Sequence, residues 1–183
     1  MPNHRAKTIA QFRFPIDWTP EEIQRWLAVA KIVQQAKSEY KVIVFATGVF
    51  DLFHEEHQKF LEKARAAGNF LLVGIETDAR VRETKGADRP IDSQELRLEK
   101  VLSSGVVDEA VILPEAFNQP EHHRSILGLL RPHLLAVSSH SPYLEAKRKL
   151  MELFGGELRV VHEHNPQVST SQIIENQSRE KAA

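Results

Sequence analysis

The sequence predicts a doubly wound α/β fold, a five-stranded parallel sheet between two layers of helices. Two observations predict it. Five short runs are apolar and rich in branched residues: residues 41–46 (KVIVFA), 70–75 (FLLVGI), 109–113 (EAVIL), 133–137 (HLLAV) and 157–161 (ELRVV). Between them lie segments with helical spacing or helix-start signals. A strand that is apolar throughout is buried on both faces, which requires helices on each side and parallel neighbours. Right-handed crossovers then make the sheet doubly wound.

Up to about Asp17 the chain reads as irregular. Thr19, Pro20 and Glu22 then form an N-cap, a first-position proline and a capping box. Ile23, Trp26, Leu27 and Ala30 follow on one apolar face, expected to pack on the rest of the chain. A helix is expected over residues 55–67, ended by Gly68. Another is expected over 92–103, with Asp92 as N-cap and Glu95 three residues on. Residues 123–130 read as helical. So do residues 142–154, with Ser141 before them as cap and Pro142 at the first position. A last helix is expected from Ser169.

The bulk properties narrow the function. A chain of 183 residues suits one domain with a well-buried core. A formal net charge of −1 gives no reason to expect a nucleic-acid partner. The absence of cysteine excludes disulfides and thiolate catalysis. The first fourteen residues lack the apolar centre of a signal peptide, and no apolar run approaches membrane-spanning length. A cytoplasmic protein without a membrane partner is expected. The N-terminal helix would pack in cis or across a homodimer, and both stay open.

Open parallel sheets bind ligands beyond the carboxyl ends of their strands. The loop after the first strand, Thr47, Gly48, Val49 and Phe50, leads through Asp51 to His54 and a helix start near Glu55. Free N–H groups and the helix dipole favour a phosphate there. His57 precedes Phe60, Leu61 and Ala64 by three, four and seven residues, so it shares their inward face. Two imidazoles therefore converge on a phosphate position. Each donates a hydrogen bond when neutral and can carry charge. That suits substitution at an α-phosphorus, where catalysis is mostly positioning and fixed donors. Asp51 is expected to order the loop by local hydrogen bonds.

The run GVFDLFHEEH, residues 48–57, resembles the G-x-F-D-x-x-H-x-G-H signature of the cytidylyltransferase-like nucleotidyltransferases. Two further segments match: KGADRPIDSQELR, residues 85–97, and VSTSQII, residues 168–174. Three motifs in order are far more specific than one. The resemblance runs over residues 41–174 and looks strongest to the adenylyltransferase domain that makes ADP-heptose. It implies a Rossmann-like sheet of the nucleotidyltransferase type, with residues 1–40 as an N-terminal segment and helix and 41–183 as the domain. It implies catalytic roles for His54, His57 and Lys85. It further implies nucleotide contacts from Thr47, Gly48, Val49, Phe50, Arg97, Ser169, Thr170 and Ser171. Mg²⁺ is expected with the nucleoside triphosphate, since a triphosphate needs charge neutralisation. The expected reaction is transfer of an NMP unit to a small phosphorylated acceptor with release of pyrophosphate.

The chain also departs from the family. Glu56 stands in place of the second glycine of the signature, adding bulk and negative charge beside a polyanion. Val137, Ser138, Ser139 and His140 stand where heptose-type relatives carry V-K-G-G-D. Candidates for the acceptor or base pocket are thus Glu56, Arg89, Ser138, Ser139 and His140. Residues 165–167 (NPQ) replace the R-T-E-G-type run of CTP-using relatives, which tilts the expectation toward ATP. His162 and His164 invite a zinc reading, but a structural site needs four ligands, so no metal is assigned to protein side chains. His122 and His123 are expected exposed at a helix start. The departures leave open a catalytically impaired nucleotide-binding module of the same fold.

Overall fold

A computed structural model describes residues 12–117 and 119–163. Its element order is α1 (Pro20–Ser38), β1 (Ile43–Gly48), α2 (Glu55–Ala66), β2 (Phe70–Ile75), α3 (Asp78–Lys85), α4 (Gln94–Leu102), β3 (Glu109–Ile112), α5 (Pro120–Leu130), β4 (Leu134–Ser138), α6 (Leu144–Leu153) and β5 (Glu157–His162). The five strands form one parallel sheet in the order β3-β2-β1-β4-β5. The direction of winding reverses at β1, so the crevice between the ends of β1 and β4 is the switch point where such sheets bind ligands.

The strand pattern follows from burial. β1 pairs with β2 from Ile43↔Phe70 to Gly48↔Ile75, and β2 is buried along its whole length. Alternate residues feed two cores. Ile43, Phe45, Leu72, Leu135 and Val137 meet α1 and α5 residues on one face. Val44, Ala46, Leu71, Val73 and Ala136 meet α2 residues and Val101 of α4 on the other. β5 is an edge strand with three of its six residues exposed. No helix among the described residues is long and apolar enough to cross a membrane.

Local chemistry explains where the elements differ from expectation. α1 has the expected cap: Thr19 Oγ1 accepts from Glu22 N–H, and Glu22 accepts from Thr19 N–H. Its buried stripe runs through Trp26, Val29, Ala30, Val33 and Ala36, whereas Leu27 lies at its margin. The cap of α4 is Ser93, not Asp92. Asp92 is otherwise engaged, its N–H donating to Asp51 and its carboxylate receiving Lys100 at 2.6 Å. α6 begins at Leu144 behind a left-handed Tyr143 (φ 59°), so Ser141 does not cap it. Ser141 accepts instead from Lys147. α3 had no counterpart in the sequence reading.

His122 and His123 are not the exposed pair expected. His122 is buried: its Nδ1 accepts from Trp18 Nε1–H at 3.0 Å, and its Nε2 meets the Asp17 carboxylate at 3.0 Å. This ties the segment before α1 to α5. His123 packs against Phe117, with ring centroids 4.1 Å apart and planes tilted by 43°.

Candidate active site

The loop from β1 to α2 is held from behind by two buried charges. Asp51 receives Arg89 Nε and Nη2 at 2.9 and 2.6 Å, Ile91 N–H at 3.1 Å and Asp92 N–H at 2.9 Å. Burial opposes its charge, but these donors and the Arg89 charge outweigh burial and hold its pKa below the ordinary aspartate value. Asp51 thus ties the loop to residues 89–92. The same contacts hold Arg89 on Asp51, and it is not among the residues that line the cleft described below.

Arg97 is fully buried. It donates to Val49 O at 2.6 Å, Asp92 O at 3.1 Å and Asp78 Oδ1 at 2.7 Å. Its guanidinium is thus held at the back of the loop, where it supports the site from α4. Phe50 and Leu52 adopt left-handed backbone (φ 54° and 46°), folding the chain sharply onto α2. Gly48 is required by that fold, because a Cβ there would lie 2.9 Å from the Phe50 ring.

His54 is the N-cap residue of α2, and His57 sits in its first turn. Their rings stack at 3.8 Å with an interplanar angle of 20°. Phe50 and Phe53 flank His57 at centroid distances of 5.4 and 5.7 Å. The His54 N–H donates to His57 Nδ1 at 3.4 Å, which leaves the ring proton on Nε2. Burial, then the neighbouring His54 and Lys85, push the His57 pKa down to about 3. Burial also lowers His54, against the pull of Glu56. Both rings are thus neutral donors at pH 7.

A cleft of about 370 Å³ opens over this helix start. Thr47, Gly48, Val49, Phe50, His54 and His57 line it together. Lys85, the last residue of α3, also lines it, its pKa lowered by burial and then by Arg89. Ser138 and His140 line the opposite side, linked by a 3.2 Å contact between Ser138 Oγ and His140 Nδ1. The Ser139 N–H donates to His162 O. Ser169, Thr170, Ser171 and His164 lie outside the described residues.

Glu56 also lines this cleft. It does not point to solvent. His162 Nε2 lies 3.0 Å from one of its oxygens and Lys59 Nζ 3.1 Å from the other. Lys63 Nζ contacts His162 Nδ1 at 3.2 Å, which puts the ring proton on the nitrogen facing Glu56. The added carboxylate is thereby tied to β5 and shares Lys59 with Glu55.

Two cleft residues escaped the sequence reading. Glu76 directly follows β2, and Lys147 projects from α6. Both also line a smaller recess of about 160 Å³ on the other side of β1. The position of Glu76 at a strand's carboxyl end was the one available signal; Lys147 had none. Among the described residues, no group of three or more histidine, aspartate or glutamate side chains could hold a metal ion.

Comparison with known proteins decides the family. The model of the cytidylyltransferase-like family matches residues 45–176. The chain belongs to the cytidylyltransferase-like family. Among family relatives it is 34% identical over 148 residues to the bifunctional protein HldE of Pelobacter propionicus, covering 80% of this chain and 29% of that one. To the protein of the same name from Pseudomonas paraeruginosa it is 35% identical over 130 residues, covering 70% and 26%. The chain thus spans under a third of the length of these relatives. In fold it is similar to a lipopolysaccharide core biosynthesis protein from Thermoplasma volcanium (TM-score 0.55, 22% identity, 68% of this chain and 97% of that one). It is also similar to pantothenate synthetase from Thermus thermophilus (TM-score 0.53, 15% identity, 82% and 68%).

The neutral histidines predict a pH dependence of stability. His57 (down to about 3), His123 (down to about 4), His54 and His133 are all lowered, burial being the first cause in each. A base with a lower pKa folded than unfolded takes up a proton on unfolding. Its contribution is complete above the unfolded value near 6.5 and declines as pH falls toward the folded value. The urea midpoint is expected to fall steadily from pH 6.5 to about 4, and less steeply in His57→Gln. Asp51 adds little above about pH 5, because its contribution is lost as pH falls through the ordinary aspartate value toward its lower folded value.

Proposed function

We propose that this chain is a nucleotidyltransferase that transfers an NMP unit to a small phosphorylated acceptor, with ATP favoured over CTP as donor. The observation that carries this reading is the stacked, neutral His54–His57 pair at the start of α2, facing a cleft that Lys85 also lines. An anionic acceptor oxygen attacks the α-phosphorus and forms the new P–O bond. The bond from that phosphorus to the bridging oxygen breaks, and pyrophosphate leaves with the electron pair. Nε2–H of His57, with His54 beside it, donates to the non-bridging oxygens as their charge grows. Lys85 supplies positive charge to the phosphate chain. A ring held near pKa 3 is too weak a base to take a proton from an alcohol, which favours an acceptor that is already an anion.

Mg²⁺ fits the donor set as an ion bound mainly through the triphosphate, with Glu76 as the carboxylate that would hold it. When bound, it neutralises triphosphate charge.

A second reading, a nucleotide-binding module without turnover, is favoured by Glu56, which places a carboxylate beside the phosphate position. Pyrophosphate release measured over four nucleoside triphosphates and a panel of phosphorylated acceptors, with Mg²⁺, separates the two. Turnover fastest with ATP is expected. Nucleotide binding without turnover for any acceptor would leave the module.

A further inference from the structure

We infer that the acceptor is a small anion with an apolar body, held in the recess beside the nucleotide cleft with its anionic group on Lys147, and not a polyhydroxylated sugar phosphate. The inference rests on the transferase reading and adds the chemical class of the acceptor. The recess adjoins the cleft, sharing Thr47, Glu76, Val137, Pro142 and Lys147 with it. A molecule seated there therefore faces the position where an α-phosphate meets His54 and His57.

The recess has an apolar part and a polar part. Phe45, Leu113, Phe117, Leu127, Leu135 and Val137 form the apolar part, and Thr47, Glu76, Thr77, Arg80, His123 and Lys147 line the rest. Tyr143, left-handed and exposed, stands at the rim. His123 contributes a neutral ring, its pKa lowered to about 4 by burial and then by Lys147. A sugar hydroxyl turned toward the apolar part finds no partner, and each hydrogen bond left unmade costs about ten- to a hundredfold in affinity. Apolar surface gains by the same burial.

The cations of the recess are Arg80 and Lys147. Arg80 is engaged by Glu83 at 2.6 Å. Lys147 donates to Ser141 Oγ at 2.8 Å and faces both cavities. It is the residue able to hold an acceptor anion at the junction while that anion's oxygen attacks phosphorus. Because the oxygen arrives deprotonated, the P–O bond forms and pyrophosphate departs with no proton transferred, in keeping with histidines that serve as donors.

The test uses the full chain with ATP and Mg²⁺ and three probes: phenyl phosphate, phenylacetate and glucose 1-phosphate. Pyrophosphate release is followed, and binding of each probe is measured by calorimetry without nucleotide. One of the phenyl compounds is expected to exceed glucose 1-phosphate at least tenfold in kcat/KM and in affinity, and the better of the two identifies phosphate or carboxylate. Lys147→Met is expected to raise the KM of that probe at least tenfold, with a smaller change in the KM for ATP. Phe117→Asn is expected to erase the preference for it. Equal or better use of glucose 1-phosphate overturns the inference and leaves the transferase reading intact. Absent turnover with the calorimetric order preserved removes the transferase reading and keeps the recess assignment. A missing or reversed calorimetric order overturns the assignment whatever the turnover.

Discussion

Replacing His57 by alanine is expected to lower kcat for pyrophosphate release by about 10²–10³-fold, the usual loss when one fixed donor to a transition-state oxyanion is removed. The ring is unusually well placed for that role. Its Nδ1 is occupied by the cap N–H, its faces are covered by His54 and flanked by Phe53, and its remaining N–H is committed to one direction. The KM for ATP should change little, because the donor acts most strongly on charge that develops in the transition state. His57→Asn, which keeps a short N–H donor, should recover part of the loss. A uniform rise in KM with unchanged kcat would mean that His57 only binds substrate.

Arg97→Leu is expected to destabilise the protein by roughly 3–5 kcal/mol, the penalty for leaving the partners of a buried charge uncompensated. Asp78 would lose its cation, and the carbonyls of Val49 and Asp92 their donor. For a domain of this size the melting temperature should drop by about 10 °C. Activity should fall as well, since Val49 belongs to the loop that precedes His54. Thermal unfolding followed by circular dichroism measures the first effect. A loss of activity at unchanged melting temperature would instead assign Arg97 to the substrate.

The parts of the fold that were legible in sequence are those written in local patterns. The strands declare themselves as short apolar runs, most plainly β2, which is buried along its whole length, and Thr19 and Glu22 mark the start of α1 within three residues. α3 was invisible because DARVRETK buries only Val81, so it has no apolar period to read. The site divides in the same way. His54, His57 and Lys85 lie in contiguous motifs. Arg89 and Arg97 lie in such a motif too, but whether a cation faces a ligand or a buried carbonyl is decided by folding. Lys147 and Glu76, from α6 and the end of β2, meet only in the folded chain, where both line the same two cavities. His122 could not be read as buried because its partners, Asp17 and Trp18, stand more than a hundred positions earlier.

The contact between Glu56 and His162 bears on the routes by which such a sequence could change. The two residues are 106 positions apart yet share one hydrogen bond, so their substitutions are coupled and not independent. Removing either residue would leave the other with a lysine as its remaining polar partner, Lys59 for Glu56 and Lys63 for His162, so the two positions are expected to change together.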